Sequence, residues 1–191
     1  GASKRLAEMI VQSKAKKAKT KFMAVRFGNV IGSSGSVVPL FKKQIEQRGP
    51  VTVTDSRVKR YFMTAREASL LVLQASALGK GGEVFVLDMG EQIKIVDLAR
   101  NLIILSGLKP DIDIKIEYVG LRPGEKMYEE ILLDKEHDQV TKHDKIYIAQ
   151  PDNFNQVQLR REIKKLERLA TLMDNGRIIE KLKKMIPDYK R

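Results

Sequence analysis

The fold is decided by residues 22–36, which read Phe22-Met23-Ala24-Val25-Arg26-Phe27-Gly28-Asn29-Val30-Ile31-Gly32-Ser33-Ser34-Gly35-Ser36. Residues 22–27 are almost continuously apolar, and such a run predicts a short strand that is buried on both faces of a parallel sheet. The strand leads into a glycine-rich loop, and open α/β sheets bind ligands beyond the carboxyl ends of their strands. The loop has neither the Gly-Lys-Ser/Thr ending of a phosphate-binding loop nor the spacing of a dinucleotide fingerprint. A structural turn is therefore the better interpretation of this loop taken alone.

Predicted helices and strands alternate along the chain. The patterns predict helices over 2–18, 39–47, 64–78 and 95–105, and strands over 51–54, 84–87 and 112–118. The third helix opens with a capping box, Thr64-Ala65-Arg66-Glu67. The last strand is predicted from the alternation of Ile112, Ile114, Ile116 and Tyr118 with polar residues. This order indicates an α/β protein, and beyond residue 150 the apolar spacing predicts two amphipathic helices.

The composition excludes several kinds of site. The sequence has no cysteine, which excludes disulfides, thiolate metal ligands and cysteine nucleophiles. The only histidines, His137 and His143, have no partner ligands at zinc spacing, so we interpret both as loop residues and predict no metal site. No stretch approaches the roughly 20 apolar residues that a membrane-spanning helix requires.

The formal net charge of +12 is unevenly distributed. Residues 1–21 carry +6 and residues 151–191 carry +5, which leaves +1 for the residues between them. A nucleic-acid-binding protein usually combines its basic surface with a reading module, and the sequence contains no zinc finger, RNP aromatic set or basic zipper. We therefore predict no nucleic-acid partner and interpret the charge as solvated helical faces. A basic surface next to an anionic membrane or partner is the alternative.

Three segments carry residues suited to binding an anion. Asn29 can donate two N–H bonds to a phosphate or sugar oxygen. The segment 57–62 places three cations just before a predicted helix N-terminus, which favours anions, although ordinary surface charge explains it equally well. In the segment 120–126, Arg122 suits bidentate contact with a diphosphate and Glu125 suits ribose hydroxyls. A tight turn with a cap is the alternative for that segment.

Together these segments resemble the C-terminal part of the extended short-chain dehydrogenase/reductase superfamily, and within it the polysaccharide-biosynthesis (CapD-like) group of UDP-N-acetylglucosamine 4,6-dehydratases. The resemblance runs in order from residue 1 to about 150 and rests on the segments 1–5, 26–30, 32–37, 60–64, 84–90 and 121–126. It implies the C-terminal part of a Rossmann-type NAD(P)-binding sheet, a smaller substrate-binding α/β lobe and a helical tail. The implied divisions are a Rossmann remnant at 1–36, a nucleotide-sugar-binding lobe at 37–150 and the tail at 151–191.

The resemblance also implies roles for individual residues. Lys4 matches the catalytic lysine of the family's Tyr-x-x-x-Lys element, which bonds the nicotinamide ribose; the tyrosine's position would precede Gly1, so the chain is expected to begin inside its own active-site motif. Further cofactor-binding positions that line the nicotinamide are Phe27, Gly28 and Val30. The substrate-binding positions are Asn29, Arg60 and Arg122 for the diphosphate and sugar and Glu125 for the ribose. Val37, Val38, Thr52 and Val53 are positions that hold the uracil through backbone bonds and apolar contact.

The activity implied for a complete enzyme is the NAD- or NADP-dependent dehydration of UDP-N-acetylglucosamine in polysaccharide synthesis. Hydride leaves C4 of the sugar for the cofactor, water leaves across C5–C6, and hydride returns to C6. Because the chain lacks a glycine fingerprint after an N-terminal strand, we expect it to be the substrate-binding part of a longer enzyme and inactive alone. The implied partners are the UDP-sugar, the missing N-terminal half and further copies in a homo-oligomer. The implied location is the cytoplasmic face of the inner membrane, with an N-terminal region as the anchor.

Two other functions fit the same residues. A UDP-sugar 4-epimerase would share all the binding positions and differ chiefly in acid/base residues that this chain does not include. A non-catalytic nucleotide-binding or assembly module, docked to a partner or membrane surface through its basic tail, is the alternative of another class.

Overall fold

The structure, a computed structural model, describes residues 1–16, 18–129, 138–149, 154–186 and 189. The helices are α1 (Ala2–Ala15), α2 (Val37–Glu46), α3 (Ala65–Leu78), α4 (Ile95–Leu105), α5 (Gln156–Thr171) and α6 (Asn175–Met185). The strands are β1 (Ala24–Arg26), β2 (Asn29–Val30), β3 (Val51–Val53), β4 (Lys59–Arg60), β5 (Phe62–Met63), β6 (Val84–Leu87), β7 (Ile93–Lys94), β8 (Ile116–Tyr118), β9 (Asp138–Val140) and β10 (Ile146–Ala149). Helices and strands are interleaved, as the sequence predicts for an α/β protein.

The largest sheet has four strands in the order β1-β6-β10-β9. The central strand β6 runs parallel to β1 and antiparallel to β10. Its residues alternate between the two faces: Phe85 and Leu87 pack with α3, while Val84 and Val86 pack with Ala149 on the other face. Since β1 comes from 1–36 and its sheet partners from 37–150, the sheet crosses the predicted division at residue 36, and that division stays a prediction.

The first strand differs from its prediction in length and burial. The sequence predicts a strand over 22–27 that is buried on both faces, whereas β1 covers only Ala24–Arg26 and all three residues are half-buried. β1 stands at one end of the four-strand order, so among the described residues it has a neighbouring strand on one side only. The prediction of full burial is wrong because an apolar run does not reveal whether its strand is central or at an edge.

A second core lies under β3 and β8, which pair in parallel. Its buried members come from α2, β3, α4 and the turns beside them: Phe41, Ile45, Val51, Val53, Val58, Ile95, Val96, Ala99, Ile103 and Ile114. Next to it, β4 pairs with β7 in antiparallel register, with Arg60 opposite Ile93. The backbone N–H of Val119 bonds the carbonyl of Val53, so the segment that follows β8 lies beside the end of β3.

The predicted strand over 112–118 is wrong in its first half. Ile112 is 76% exposed, and only Ile116–Tyr118 form β8. Asp111 adopts a φ of 65°, and the carboxylate of Asp113 accepts the backbone N–H of Lys109 at 2.7 Å. These acidic residues close a turn, so the alternation of isoleucines does not continue as extended chain.

The two predicted tail helices are present as α5 and α6, which pack on each other. Side chains cap both of them: Asn155 accepts the N–H groups of Val157 and Gln158, and Asp174 accepts that of Arg177. A Glu162–Lys181 ion pair links the two helices. Within the described ranges, every helix is too short or too polar to cross a membrane.

Candidate functional site

The carboxylate of Glu8 joins the first helix to the first strand. Arg26 donates to both oxygens of Glu8, from Nε and from Nη2, each at 2.7 Å, and Arg5 contacts the same carboxylate. This bidentate pair explains why an arginine interrupts the apolar strand, since it holds α1 beside β1. Lys4, the predicted catalytic lysine, is exposed in the first turn of that helix.

Gly28 follows β1 at a point where the chain comes very close to Tyr61. A Cβ atom added at Gly28 would lie 2.7 Å from Cβ of Tyr61 and 3.1 Å from Cε of Met89, so a larger residue would force the backbone apart. The resemblance predicts that Gly28 lines the nicotinamide, and in the structure the close approach at this glycine is to Tyr61 and Met89. Phe27 is 39% exposed and Val30 is half-buried, so an accessible aromatic ring stands at the end of β1.

Asn29 was expected to donate to a diphosphate or sugar, and in the structure it donates to protein groups. Its Nδ2 contacts the carbonyl of Tyr61 and Oε1 of Glu129, both at 3.0 Å. The Glu129 carboxylate also accepts the backbone N–H of Tyr61 at 2.9 Å and lies 3.8 Å from Nε of Arg60. A substrate could therefore take the Asn29 N–H bond that Glu129 now accepts only by replacing Glu129.

A single carboxylate contacts the side chain of one predicted diphosphate arginine, Arg60, and the main chain of the other, Arg122. Oε1 of Glu125 accepts from the Thr54 hydroxyl at 3.0 Å and from Nη2 of Arg60 at 3.2 Å, and its Oε2 accepts the backbone N–H of Arg122 at 3.1 Å. Arg60 is half-buried and the side chain of Arg122 is exposed. The ends of β3, β4 and the 121–125 turn thus converge on Glu125, whose oxygens are engaged by protein donors rather than open to a ribose.

The four positions expected to grip a uracil lie largely in the core. Val53 is 1% exposed and Val38 is 7% exposed, so neither side chain offers surface to a base. Thr52 is tied to α2, because Gln44 donates to its hydroxyl at 2.8 Å and accepts its backbone N–H at 3.2 Å. Val37 and Thr52 are half-buried, so these two of the four positions retain accessible surface.

An exposed ion pair follows β3. Arg57 donates to both oxygens of Asp55, and these hydrogen bonds lower the pKa of Asp55 from 3.8 to about 2. A cleft of about 450 Å³ opens beside Arg57; its lining includes Lys59, Lys94, Arg100, Tyr118 and Tyr128. None of the predicted substrate residues lines this cleft, so its volume does not mark the predicted site.

Sequence reasoning missed Glu129 and Gln92. Gln92 donates from Nε2 to the backbone carbonyl of Glu129 at 2.9 Å, which fixes the main chain there. The available signal was a second acid four residues after Glu125, but the partners of Glu129 lie up to 100 positions away. No local pattern reveals such a contact.

The histidine and metal predictions have separate outcomes. His143 lies in the turn between β9 and β10, where its Nδ1 accepts the backbone N–H of Lys145 at 3.1 Å; it is a loop residue, as predicted. His137 lies outside the described residues. In the part of the chain that the structure covers, no three His, Asp or Glu side chains are grouped so that they could hold a metal ion.

Comparison with known sequences gives one family and several relatives. A family model described as polysaccharide biosynthesis protein matches residues 1–151. The capsular polysaccharide biosynthesis protein CapD of Staphylococcus aureus is 61% identical over 81% of this chain and 26% of its own length. The UDP-N-acetylglucosamine 4,6-dehydratase (inverting) of Campylobacter jejuni is 35% identical over 68% of this chain and 36% of its own length. The UDP-glucose 4-epimerase of Rickettsia bellii is 37% identical over 71% of this chain and 39% of its own length. The chain therefore spans about a quarter of CapD and less than half of either enzyme.

Solved structures show the same fold. The X-ray structure of Pen from Bacillus thuringiensis matches with a TM-score of 0.69 at 36% identity, over 86% of this chain and 57% of Pen. A dTDP-glucose 4,6-dehydratase from Bacillus anthracis, solved in complex with NAD, matches with a TM-score of 0.56 at 21% identity, over 68% of this chain and 41% of that one. The predicted fold class, part of a Rossmann-type sheet with further α/β structure, is confirmed by these likenesses.

Proposed function

Because the chain belongs to the polysaccharide biosynthesis protein family, we propose that it is the substrate-binding, C-terminal part of a UDP-N-acetylglucosamine 4,6-dehydratase. The relatives that support this are a capsular polysaccharide biosynthesis protein and an enzyme that carries the dehydratase name. The chain spans only a fraction of each, so the activity belongs to a longer protein that also includes a cofactor-binding half.

The observation that carries this proposal is the convergence on Glu125. The carboxylate contacts the guanidinium of Arg60 and the backbone N–H of Arg122, which come from separate loops. Two cations on separate loops suit a diphosphate, because each can neutralise part of its charge from a different side. In this proposal Glu125 fixes the position of the Arg60 loop relative to the Arg122 loop. The exposed side chain of Arg122 supplies the first contact with the diphosphate.

The residues at the end of β1 fit a nicotinamide. Phe27 offers an exposed ring, Val30 adds apolar surface, and the Glu8–Arg26 pair holds the helix that carries Lys4 beside the same strand. When bound, NAD or NADP supplies a group that accepts and returns hydride. Phe27 and Val30 would flank the ring, and the Lys4 ammonium would donate to the ribose hydroxyls. The role of this part of the chain is to position the cofactor and sugar rather than to move protons.

The reaction itself tests the activity. Joined to its cofactor-binding half, the protein should convert UDP-N-acetylglucosamine to a 4-keto-6-deoxy product that has lost one water, as read by mass spectrometry. Interconversion with the galacto isomer at unchanged mass would instead favour an epimerase. This is the second candidate, because a Rickettsia relative bears the name UDP-glucose 4-epimerase. Absence of UDP binding by this chain and by the longer protein would favour the assembly module.

A substitution tests the diphosphate site. Arg122→Ala should weaken UDP binding by about 1.5–3 kcal/mol, since a charged hydrogen bond to the diphosphate is lost, as measured by calorimetry. Arg66→Ala, which removes an exposed arginine from α3, serves as the control and should leave UDP affinity unchanged. Unchanged affinity in Arg122→Ala would remove Arg122 from the site.

The proposal extends to location and assembly. We place the complete protein at the cytoplasmic face of the inner membrane, anchored by a region outside this chain, and a relative from Methanocaldococcus jannaschii, 43% identical, bears the name of a membrane protein. We also propose a homo-oligomer. Fractionation of the complete protein and light scattering of the purified enzyme test these two points separately.

A further inference from the structure

The Glu129 carboxylate occupies a set of donors that the proposed function assigns to the substrate. These donors are Nδ2 of Asn29, the backbone N–H of Tyr61 and the guanidinium of Arg60, and together we call them the donor cradle. Glu129 accepts from the first at 3.0 Å and from the second at 2.9 Å, and it lies 3.8 Å from Nε of the third. One fixed backbone donor, one amide and one cation aimed at the same point form a site for an anionic oxygen.

The cradle is built from parts that are held in place without Glu129. The Asn29 amide also contacts the Tyr61 carbonyl, and β2 and β5 pair beside it. Arg60 donates from Nη1 to the carbonyls of Lys59 and Met127. The donors would therefore keep their arrangement if a different anion took the place of the carboxylate, which is the condition for a preorganised binding site.

Glu129 can leave the cradle without moving its main chain. Its backbone carbonyl is held by the side-chain amide of Gln92 at 2.9 Å, while its side chain is 27% exposed and thus reaches solvent. Rotation about the side-chain bonds of Glu129 is enough to withdraw the carboxylate. This motion is small and fast compared with movement of a loop.

The charges around Arg60 show why Glu129 matters for an incoming anion. Both Glu125 and Glu129 face this one guanidinium, at 3.2 Å and 3.8 Å. A diphosphate at the cradle would meet two carboxylates there, and like charges placed together at a binding site are strongly unfavourable. Each carboxylate has three donors, but Glu129 lies farther from the guanidinium than Glu125 does, and its side chain is 27% exposed against 20% for Glu125. Glu129 is therefore the carboxylate that we expect to yield.

We propose that Glu129 is a tethered anion that occupies the diphosphate cradle until the substrate displaces it, and that it thereby sets the affinity for the nucleotide. The naming of a diphosphate rests on the proposed function; the presence of an anion-binding cradle does not. Glu129 acts by competition and is not a catalytic residue. In the alternative, Glu129 only stabilises the fold by joining β2 to β4 and to Tyr61, the residue between β4 and β5.

The decisive experiment is calorimetry on the complete protein, in which this chain is joined to its cofactor-binding half, with three probes: UDP, inorganic pyrophosphate and uridine. Glu129→Gln removes the charge and keeps the shape, so UDP and pyrophosphate should bind on the order of tenfold more tightly than to the wild type, and uridine should bind equally to both. Glu180→Gln, which makes the same charge change at an exposed position of α6, should match the wild type with every probe.

Four outcomes separate this inference from the proposed function. Tighter binding of both anions by Glu129→Gln supports the cradle. Tighter binding of pyrophosphate with no UDP binding supports the cradle and overturns the nucleotide proposal. UDP binding that is unchanged or weaker in a Glu129→Gln variant with a wild-type circular dichroism spectrum overturns the inference alone. No binding of either anion by either protein overturns both.

A measurement on the wild type covers the case in which the variant fails to fold. Pyrophosphate should shift the NMR signals of the Asn29 side-chain amide and the Tyr61 backbone amide, because Glu129 leaves both. The Gln92 side-chain amide, which bonds the backbone of Glu129, should stay nearly unchanged. Signals of Asn29 and Tyr61 that do not respond to pyrophosphate overturn the inference.

Discussion

At the scale of single residues, Gly28 is fixed by a neighbour that is distant in sequence. A Cβ atom there would stand 2.7 Å from Cβ of Tyr61, and relieving that contact requires the end of β1 to move away from β5. We expect Gly28→Ala to lower the free energy of unfolding by about 1–3 kcal/mol, the usual cost of overpacking, as measured by urea denaturation.

The matched control for this substitution is Gly49→Ala. An added Cβ at Gly49 has no atom within 4 Å, and its backbone lies outside the left-handed region. The change in stability should stay within about 0.5 kcal/mol. Equal losses in the two variants would show that the contact with Tyr61 is not the cause.

The Asp55–Arg57 pair gives a prediction about pH. The folded-state pKa of Asp55, about 2, lies below its ordinary value of 3.8 because Arg57 donates to the carboxylate. The pair therefore stabilises the fold above about pH 4, and this contribution is lost as the pH falls towards 2. An NMR titration of the Asp55 carboxyl should show a midpoint near 2, and a higher midpoint that stays below 3.8 in Arg57→Gln, because the backbone N–H of residue 57 still donates to the carboxylate. A midpoint near 3.8 in the wild type would contradict the ion pair.

The site roles of Asn29, Arg60, Arg122 and Glu125 stay predictions, and their present partners could not be predicted. In the structure Glu129 joins Asn29 to Arg60, and Glu125 joins Arg60 to the backbone of Arg122. That Glu129 and Thr54 already take their hydrogen bonds could not be predicted, because these contacts join residues 65 to 100 positions apart. A motif indicates which residues belong to a site. Which protein groups already form hydrogen bonds with those residues depends on the packed structure.

At the scale of elements, the first turn of α3 shows how a cap stabilises a helix. The Thr64 hydroxyl accepts the backbone N–H of Glu67 at 3.1 Å, while the Glu67 carboxylate lies 3.5 Å from Nζ of Lys145. We expect Thr64→Ala to cost about 1 kcal/mol of unfolding free energy, measured by thermal or chemical denaturation.

Ser36 provides the comparison for Thr64, since it is the N-cap of α2 but makes no side-chain capping bond. Its buried hydroxyl has no hydrogen-bond partner within the described residues. Ser36→Ala should therefore change stability by much less than Thr64→Ala. A larger loss at Ser36 would mean that its hydroxyl is bonded in solution.

Helices were easier to predict than strands, and the reason is local. The bounds of α4 follow from residues within the helix, from its apolar period and its Ser106-Gly107 stop, and they match the prediction. Strands depend on partners: β4 and β7 are two residues each and exist because they pair with one another. Likewise β10 adds an antiparallel strand to β6, and its four residues alone gave no sign of that position.

At the scale of the whole molecule, two cores support one candidate site. The first lies between α3 and the four-stranded sheet, and the second lies between α2, α4 and β3. Asn29, in β2, lies next to the first core. Glu125 lies next to the second core, because it accepts a hydrogen bond from Thr54 at the end of β3. Glu129 joins these parts, because it contacts Asn29 on one side and Arg60 on the other.

The bonds to Glu125 and Glu129 also determine when the site comes into existence. The bonds from Asn29, Arg60 and Tyr61 join residues 65 to 100 positions apart. Such closures are slow and form only when the intervening chain is largely folded. Ligand affinity would accordingly report on completion of folding, since partly folded forms lack the site. A nucleotide that binds only the finished molecule would raise its melting temperature in proportion to the logarithm of ligand concentration.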